Sequence, residues 1–140
     1  MAFTGNAFCT SAKVGFLTGT YVPLTDTMKI ALYTNSATLN GTTTAYSATN
    51  EVVGTGYTAG GNTLTGNAIS YAGTTAWITF SDSSWTTATI TARGALIYDS
   101  SKSNAAIAVL DFGADKTSTA GTFTVQMPVA AASTALIRIA

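Results

Sequence analysis

Asp82, Asp99, Asp111, Asp115 and Glu51 are the candidate acid–base side chains of this sequence. A pair of carboxylates can cleave a glycosidic bond when their surroundings drive their pKa values apart. Nothing in the spacing of these five selects two that would face one cleft. Asp82-Ser83-Ser84 and the stretch from Asp111 to Asp115 also offer oxygen ligands of the kind a hard cation takes. The reading we favour is more ordinary: carboxylates that shape turns at strand ends, where Asp is preferred. His is absent, which removes the commonest general base and the commonest metal ligand. No catalytic residue, cofactor or metal site is therefore expected. Trp77 and Trp85 could form a carbohydrate-stacking platform, but Trp77 lies in an apolar run and reads as core, and Trp85 reads as the closure of one end of the fold. Cys9 is the single cysteine and has no partner for an internal disulfide.

The elements that must position these residues follow from composition and period. The chain of 140 residues is long enough for one core, and we read it, residues 1–140, as a single domain. Charged residues make up only 9%, against roughly 25% in an average soluble protein. Six basic and six acidic side chains cancel, so no field gathers phosphate and nucleic-acid binding is not expected. A neutral surface this poor in charge lacks the repulsion that keeps small proteins apart. Its working surface is therefore expected to be occupied by partners. About one residue in five is Thr, and β-branched residues suit a pleated surface. Met1 to Asn6 has no basic residue followed by a long apolar run, and the longest apolar stretch, Ala105 to Leu110, falls far short of the roughly 20 residues of a membrane span. Neither a secretory signal nor a membrane partner is expected.

Thr10 to Thr18 is the most helix-like window, with Thr10 or Ser11 as cap and Ala12, Phe16 and Leu17 on one face. Period two begins at Met28, where Met28, Ile30 and Leu32 alternate with Lys29, Ala31 and Tyr33. Asn35 to Thr44 reads as loop. The cluster Gly54, Gly56, Gly60 and Gly61 predicts turns or close backbone approach. Further strands are predicted at Asn62–Thr65, Ala76–Phe80, Ala88–Tyr98, Ala106–Phe112, Thr122–Met127 and Leu136–Ile139, with Gly113-Ala114-Asp115-Lys116 as a turn. These elements predict an all-β, two-sheet β-sandwich or jelly roll with one short N-terminal helix. Its expected core is Met28, Ile30, Leu32, Trp77, Ile90, Leu96, Val109, Leu110, Phe123 and Val125.

Thr-x-Thr pairs recur at Thr18/Thr20, Thr25/Thr27, Thr63/Thr65, Thr89/Thr91 and Thr122/Thr124. Their irregular spacing does not suit an ice-ordering lattice and reads as solvent-facing strand positions. Arg93 and Arg138 sit within apolar strands; solvent is the default for each, and for Arg138, in a terminal strand, an interface is also expected. Phe3, Phe8, Phe16 and Tyr21 lie in an irregular N-terminal region, where aromatic side chains call for a partner to bury them. Phe3, Phe8, Phe16, Tyr21 and Arg138 are the candidate protein-interface residues.

The blocks MAFTGNAFCTSAKVG (Met1 to Gly15), KIALYT (Lys29 to Thr34), EVVGTGYTAGGNTLT (Glu51 to Thr65), ITARGALIYDS (Ile90 to Ser100) and AVLDFGADKTSTAGTFTVQMP (Ala108 to Pro128) together resemble a family of small tailed-bacteriophage virion structural proteins. The resemblance runs nearly end to end and carries no catalytic signature. It implies a non-enzymatic structural role on a β-sandwich. A compact chain without fibrous repeats points to a capsid decoration, or cement, protein. Its expected partners are the major capsid protein and itself, as a homotrimer, and its expected location is the capsid exterior after synthesis in the host cytoplasm. The alternative is a tail- or fibre-associated module binding host surface carbohydrate.

Overall fold

A computed structural model describes residues 2–140. Strands hold 49% of the chain and helix 6%, in two antiparallel sheets with one short helix, an all-β sandwich-like fold. The larger sheet has five strands in the order β2 (Ala7–Phe8), β9 (Ala105–Val125), β8 (Ser83–Asp99), β3 (Met28–Tyr33) and β5 (Asn62–Thr63). The smaller has three: β10 (Ile137–Ile139), β7 (Thr75–Thr79) and β6 (Ala68–Ala72). A two-residue parallel pair, β1 (Ala2–Phe3) with β4 (Thr38–Leu39), ties down the N-terminal arm.

The spine is the β8–β9 hairpin, much longer than the sequence pattern predicts. Gly113 to Lys116 is not a turn: β9 runs through it without a break, so the expected strands Ala106–Phe112 and Thr122–Met127 belong to one strand. Pairing with β8 continues on both sides of this stretch, Gly94 opposite Asp111 and Ala92 opposite Lys116, with the register shift between those two pairs absorbing the glycine. Three further shifts interrupt the ribbon, at Trp85/Ala88, Ala88/Ile90 and Ile97/Tyr98. The exposed half of the ribbon carries cross-strand hydroxyl pairs, Ser84 with Thr124 at 2.8 Å and Thr91 with Thr117 at 3.0 Å.

β3 was expected to bury one face, and it buries both. Segment 45–61 crosses the sheet from Ala45, bridged to Ala105, to Glu51, bridged to Tyr33 on the far edge. It covers the Tyr98 side, where Tyr46 stacks on Tyr98 at 4.6 Å between centroids. Glu51 latches this cover: its buried carboxylate accepts the Tyr46 and Tyr57 hydroxyls, each at 2.6 Å, and the Gly60 N–H at 2.7 Å. Nine of the ten expected core residues are buried. Leu110 is half-buried, and Trp77 is buried in the small sheet, outside the main cluster.

Helix α1 (Thr10–Leu17) has Cys9 at the N-cap, not the expected Thr10 or Ser11, and no side-chain cap. Its end closes by N–H bonds from Gly19 to the Phe16 carbonyl and from Thr20 to the Gly15 carbonyl, the paired arrangement that satisfies the last carbonyls of a helix. Ala12 and Gly15 form its buried face, while Leu17 points out and is 87% exposed. Among the described residues no helix is long and apolar enough to cross a membrane.

Candidate functional site

Four of the five expected interface residues converge, and one does not. Phe16 sits at the centre: its ring lies 5.7 Å from that of Phe8 and 5.8 Å from that of Tyr21, the latter edge-on. Gly15 makes this possible, because a Cβ there would run into the Tyr21 ring. On one side of Phe16 a groove of about 290 Å³ runs between Tyr21, Val22 and Pro23 and the small sheet, where it is lined by Ile69, Ile78 and Ile139. On the other side a second depression is bounded by Phe8, Leu17 and Ile139, with Lys13 and Arg138 among its lining residues. Lys13 Nζ stands 5.9 Å from the Phe8 ring centroid. Arg138, in β10, donates from Nη1 to the Ala132 carbonyl at 3.1 Å and keeps its exposed side chain at the edge of the surface. The result is an open apolar face with a cationic rim.

Phe3 is the correction. It is 2% exposed and belongs to the core. Parallel pairing places it opposite Leu39, and its ring occupies the space that a Cβ on Gly94 would need. Arg93 covers it, with the guanidinium carbon 5.9 Å from the ring centroid. Arg93 is in turn not directed to solvent as expected but paired with Asp111 at 3.0 Å, both side chains largely buried. Asp111 also accepts the Gly5 N–H at 3.1 Å, and its own N–H donates to the Asn6 side chain at 2.7 Å. The N-terminal arm is thus bonded to β9, with Phe3 turned into the core rather than toward a partner.

The carboxylates are each engaged locally. Asp82 accepts the Met127 N–H at 2.7 Å, and Asp115 accepts the Asn35 amide at 3.0 Å. Asp99, fully buried, accepts the Ser101 N–H and hydroxyl through Oδ1, while its Oδ2 has no hydrogen-bond partner among the described residues. Burial, and after it the neighbouring Asp26 carboxylate, raises the Asp99 pKa above the usual carboxylate range. Asp26, which is not among the carboxylates singled out by sequence, accepts the Val22 N–H at 2.7 Å and faces Lys102 at 3.9 Å. An Asp four residues after an apolar position in a Pro-containing loop is the turn signal that could have flagged it. Among the described residues no three of His, Cys, Asp and Glu are grouped so as to hold a metal ion. Burial pushes the Cys9 thiol up to about 11, so it is protonated at neutral pH. Both tryptophans are buried, Trp85 between Tyr57 and Phe123, and Trp77 in the wall of the groove beside Phe16 at 8% exposure. Comparison of the chain with family models, curated proteins and solved structures found no match.

Proposed function

We propose that this chain is a non-enzymatic structural protein of a tailed-phage virion, a decoration subunit that binds the outer face of the major capsid protein lattice. The observation that carries the reading is the open apolar face around Phe16, which gathers Phe8, Tyr21, Leu17 and Ile139. Leu17 at 87% exposure and Ile139 at 60% both border the same depression on it, and exposed apolar surface gathered in one place marks interaction sites. A subunit repeated over a lattice needs little affinity per copy, so a shallow apolar face suffices. The carboxylates of Glu51, Asp82 and Asp111 support the same reading, because their oxygens bond backbone and side chains of the fold, and the one pair that meets, Asp99 with Asp26, has its Asp99 member fully buried. The buried tryptophans weigh against the carbohydrate-binding alternative.

Rebinding to capsids stripped of the protein tests this. Native protein should rebind equally from roughly 0.1 to 1 M salt, a range over which the Debye length falls from about 10 to about 3 Å. Leu17→Asp, at an exposed helix end, should fold normally and lose most rebinding. Salt-released native protein, or full rebinding of Leu17→Asp, would move attachment to another surface. Labelling on tails rather than heads would reject the capsid location itself.

A further inference from the structure

The small sheet ends in a strand that the fold leaves unfinished. Every residue of β6, Ala68-Ile69-Ser70-Tyr71-Ala72, is exposed, with Ile69 at 51% and Tyr71 at 78%. One edge of β6 pairs with β7, Ala72 opposite Thr75, Ser70 opposite Trp77 and Ala68 opposite Thr79. Ala72 and Thr75 flank the two-residue turn Gly73-Thr74, whose Gly73 has φ +56°, suited to the first central position of a type II′ turn. The residues flanking such a turn form a hydrogen-bonded pair, and alternation then makes Ser70–Trp77 and Ala68–Thr79 hydrogen-bonded as well. Ile69 and Tyr71 are left with N–H and C=O directed at the free edge.

Natural edge strands are guarded by charge, Pro, bulges or brevity. The opposite edge of this sheet, β10, is three residues long and carries Arg138; β9, past the stretch covered by the N-terminal arm, carries the exposed Asp115 and Lys116; β5 has two residues. β6 has none of these guards, and residues 52–81 include no charged side chain. The strand and its flanking segments therefore bring no like charges together when two copies meet along this edge.

We propose that two copies of this chain pair through the free edge of β6, antiparallel about Ser70, joining two three-stranded sheets into one of six strands. The occupant is argued from self-complementarity. Centred on Ser70, Ile69 of one copy opposes Tyr71 of the other, and Ala68 opposes Ala72. The outward groups of Ile69 and Tyr71 then meet in four N–H···O=C bonds, while the two Ser70 residues form the non-hydrogen-bonded pair on the axis. Each Ile–Tyr contact is a β-branched–aromatic cross-strand pair, a favourable kind. It also continues the row Ile137–Ile78–Ile69 of one copy into Tyr71–Ala76–Ile139 of the next. A two-fold pair of this kind is a different assembly from the homotrimer expected from sequence. It does not depend on where in a virion the protein sits.

Cross-linking and sedimentation test it. Non-hydrogen-bonded antiparallel partners have Cα atoms about 4.5 Å apart, within disulfide reach, and Cys9 is buried and inert. Under mild oxidation Ser70→Cys should give a covalent dimer at least tenfold faster than the exposed turn variant Thr74→Cys. In a concentration series the native chain should pass from monomer to dimer, and Tyr71→Lys should lose the dimer with an unchanged thermal midpoint. Equal cross-linking of the two cysteine variants, a trimer in the series, or an undiminished dimer in a folded Tyr71→Lys would each overturn the proposal. Should Tyr71→Lys fail to fold, the cross-linking comparison decides alone.

Discussion

β3 and β6 are strands of nearly equal length and apolar content, yet five of six residues are buried in one and none of five in the other. The difference lies in their neighbours. β3 has β8 on one edge, β5 and Glu51 on the other, and segment 45–61 laid over the sheet. β6 has β7 alone. Apolar sequence thus specifies a strand in both places, and the topology decides whether that strand's surface serves stability or association.

The contrast yields predictions of graded size. Leu32→Ala in β3 should cost about 2–5 kcal/mol, the range for a fully buried Leu, read as a large fall in denaturation midpoint; a loss under about 1 kcal/mol would mean that the double cover of β3 is loose. Removing the latch should come next. Glu51→Ala strands two hydroxyls and an N–H in a buried site and should cost about 1–3 kcal/mol. Glu51→Gln should restore much of this, since its carbonyl oxygen can serve Tyr57 and Gly60 while the Tyr46 hydroxyl turns to accept. If the two variants melt alike, the bonds to Glu51 contribute little.

A smaller effect is expected at Asp99. Its pKa is raised in the folded state, so the folded protein holds that proton more tightly than the unfolded chain. The stability associated with it is full below the ordinary carboxylate range and is lost as pH rises through the raised value. Asp99→Asn keeps an acceptor for Ser101 and offers a donor toward Asp26, so it should stabilise the protein at pH 7 and flatten the pH dependence above pH 4. An unchanged pH profile in urea melts would remove Asp99 from that role. Least of all, Ile69→Ala in β6, measured in dilute monomer, should fall within about 0.5 kcal/mol of native. A loss of several kcal/mol would erase the distinction between the two strands.

Much of this architecture was legible in the sequence, for reasons that differ by region. Met28 to Tyr33 announced a strand through period two, and α1 announced itself within one residue of its observed start. The convergence of Phe8, Phe16, Tyr21 and Arg138 was legible as residue types without partners, although the sequence could not say that they meet. Phe3 was misread because its burial rests on contacts far along the chain: Leu39, Gly94 and the Arg93–Asp111 pair. Gly113 looked like a turn because Gly-Ala-Asp-Lys combines turn-forming residue types; the glycine does take a positive φ of +79°, but a register shift takes it up inside a strand. β6 was missed altogether, since Ala-Ile-Ser-Tyr-Ala between glycines lacks the run of β-branched residues that flags a strand.

The β8–β9 ribbon also sets the order in which the chain can assemble. Its pairings close over a short turn at residues 100–104, so the loop entropy lost in forming them is small. β3, although made early, must wait for β8, and the N-terminal arm waits for Asp111, which lies 106 residues beyond Gly5. During synthesis most of the first half of the chain therefore leaves the ribosome without its partners. The four register shifts act as keys on the ribbon, because a slip of one residue would turn every inward side chain outward. Pulsed hydrogen exchange during refolding should find amides of Gly94 to Asp99 and Ala105 to Asp111 protected first and those of the N-terminal arm last.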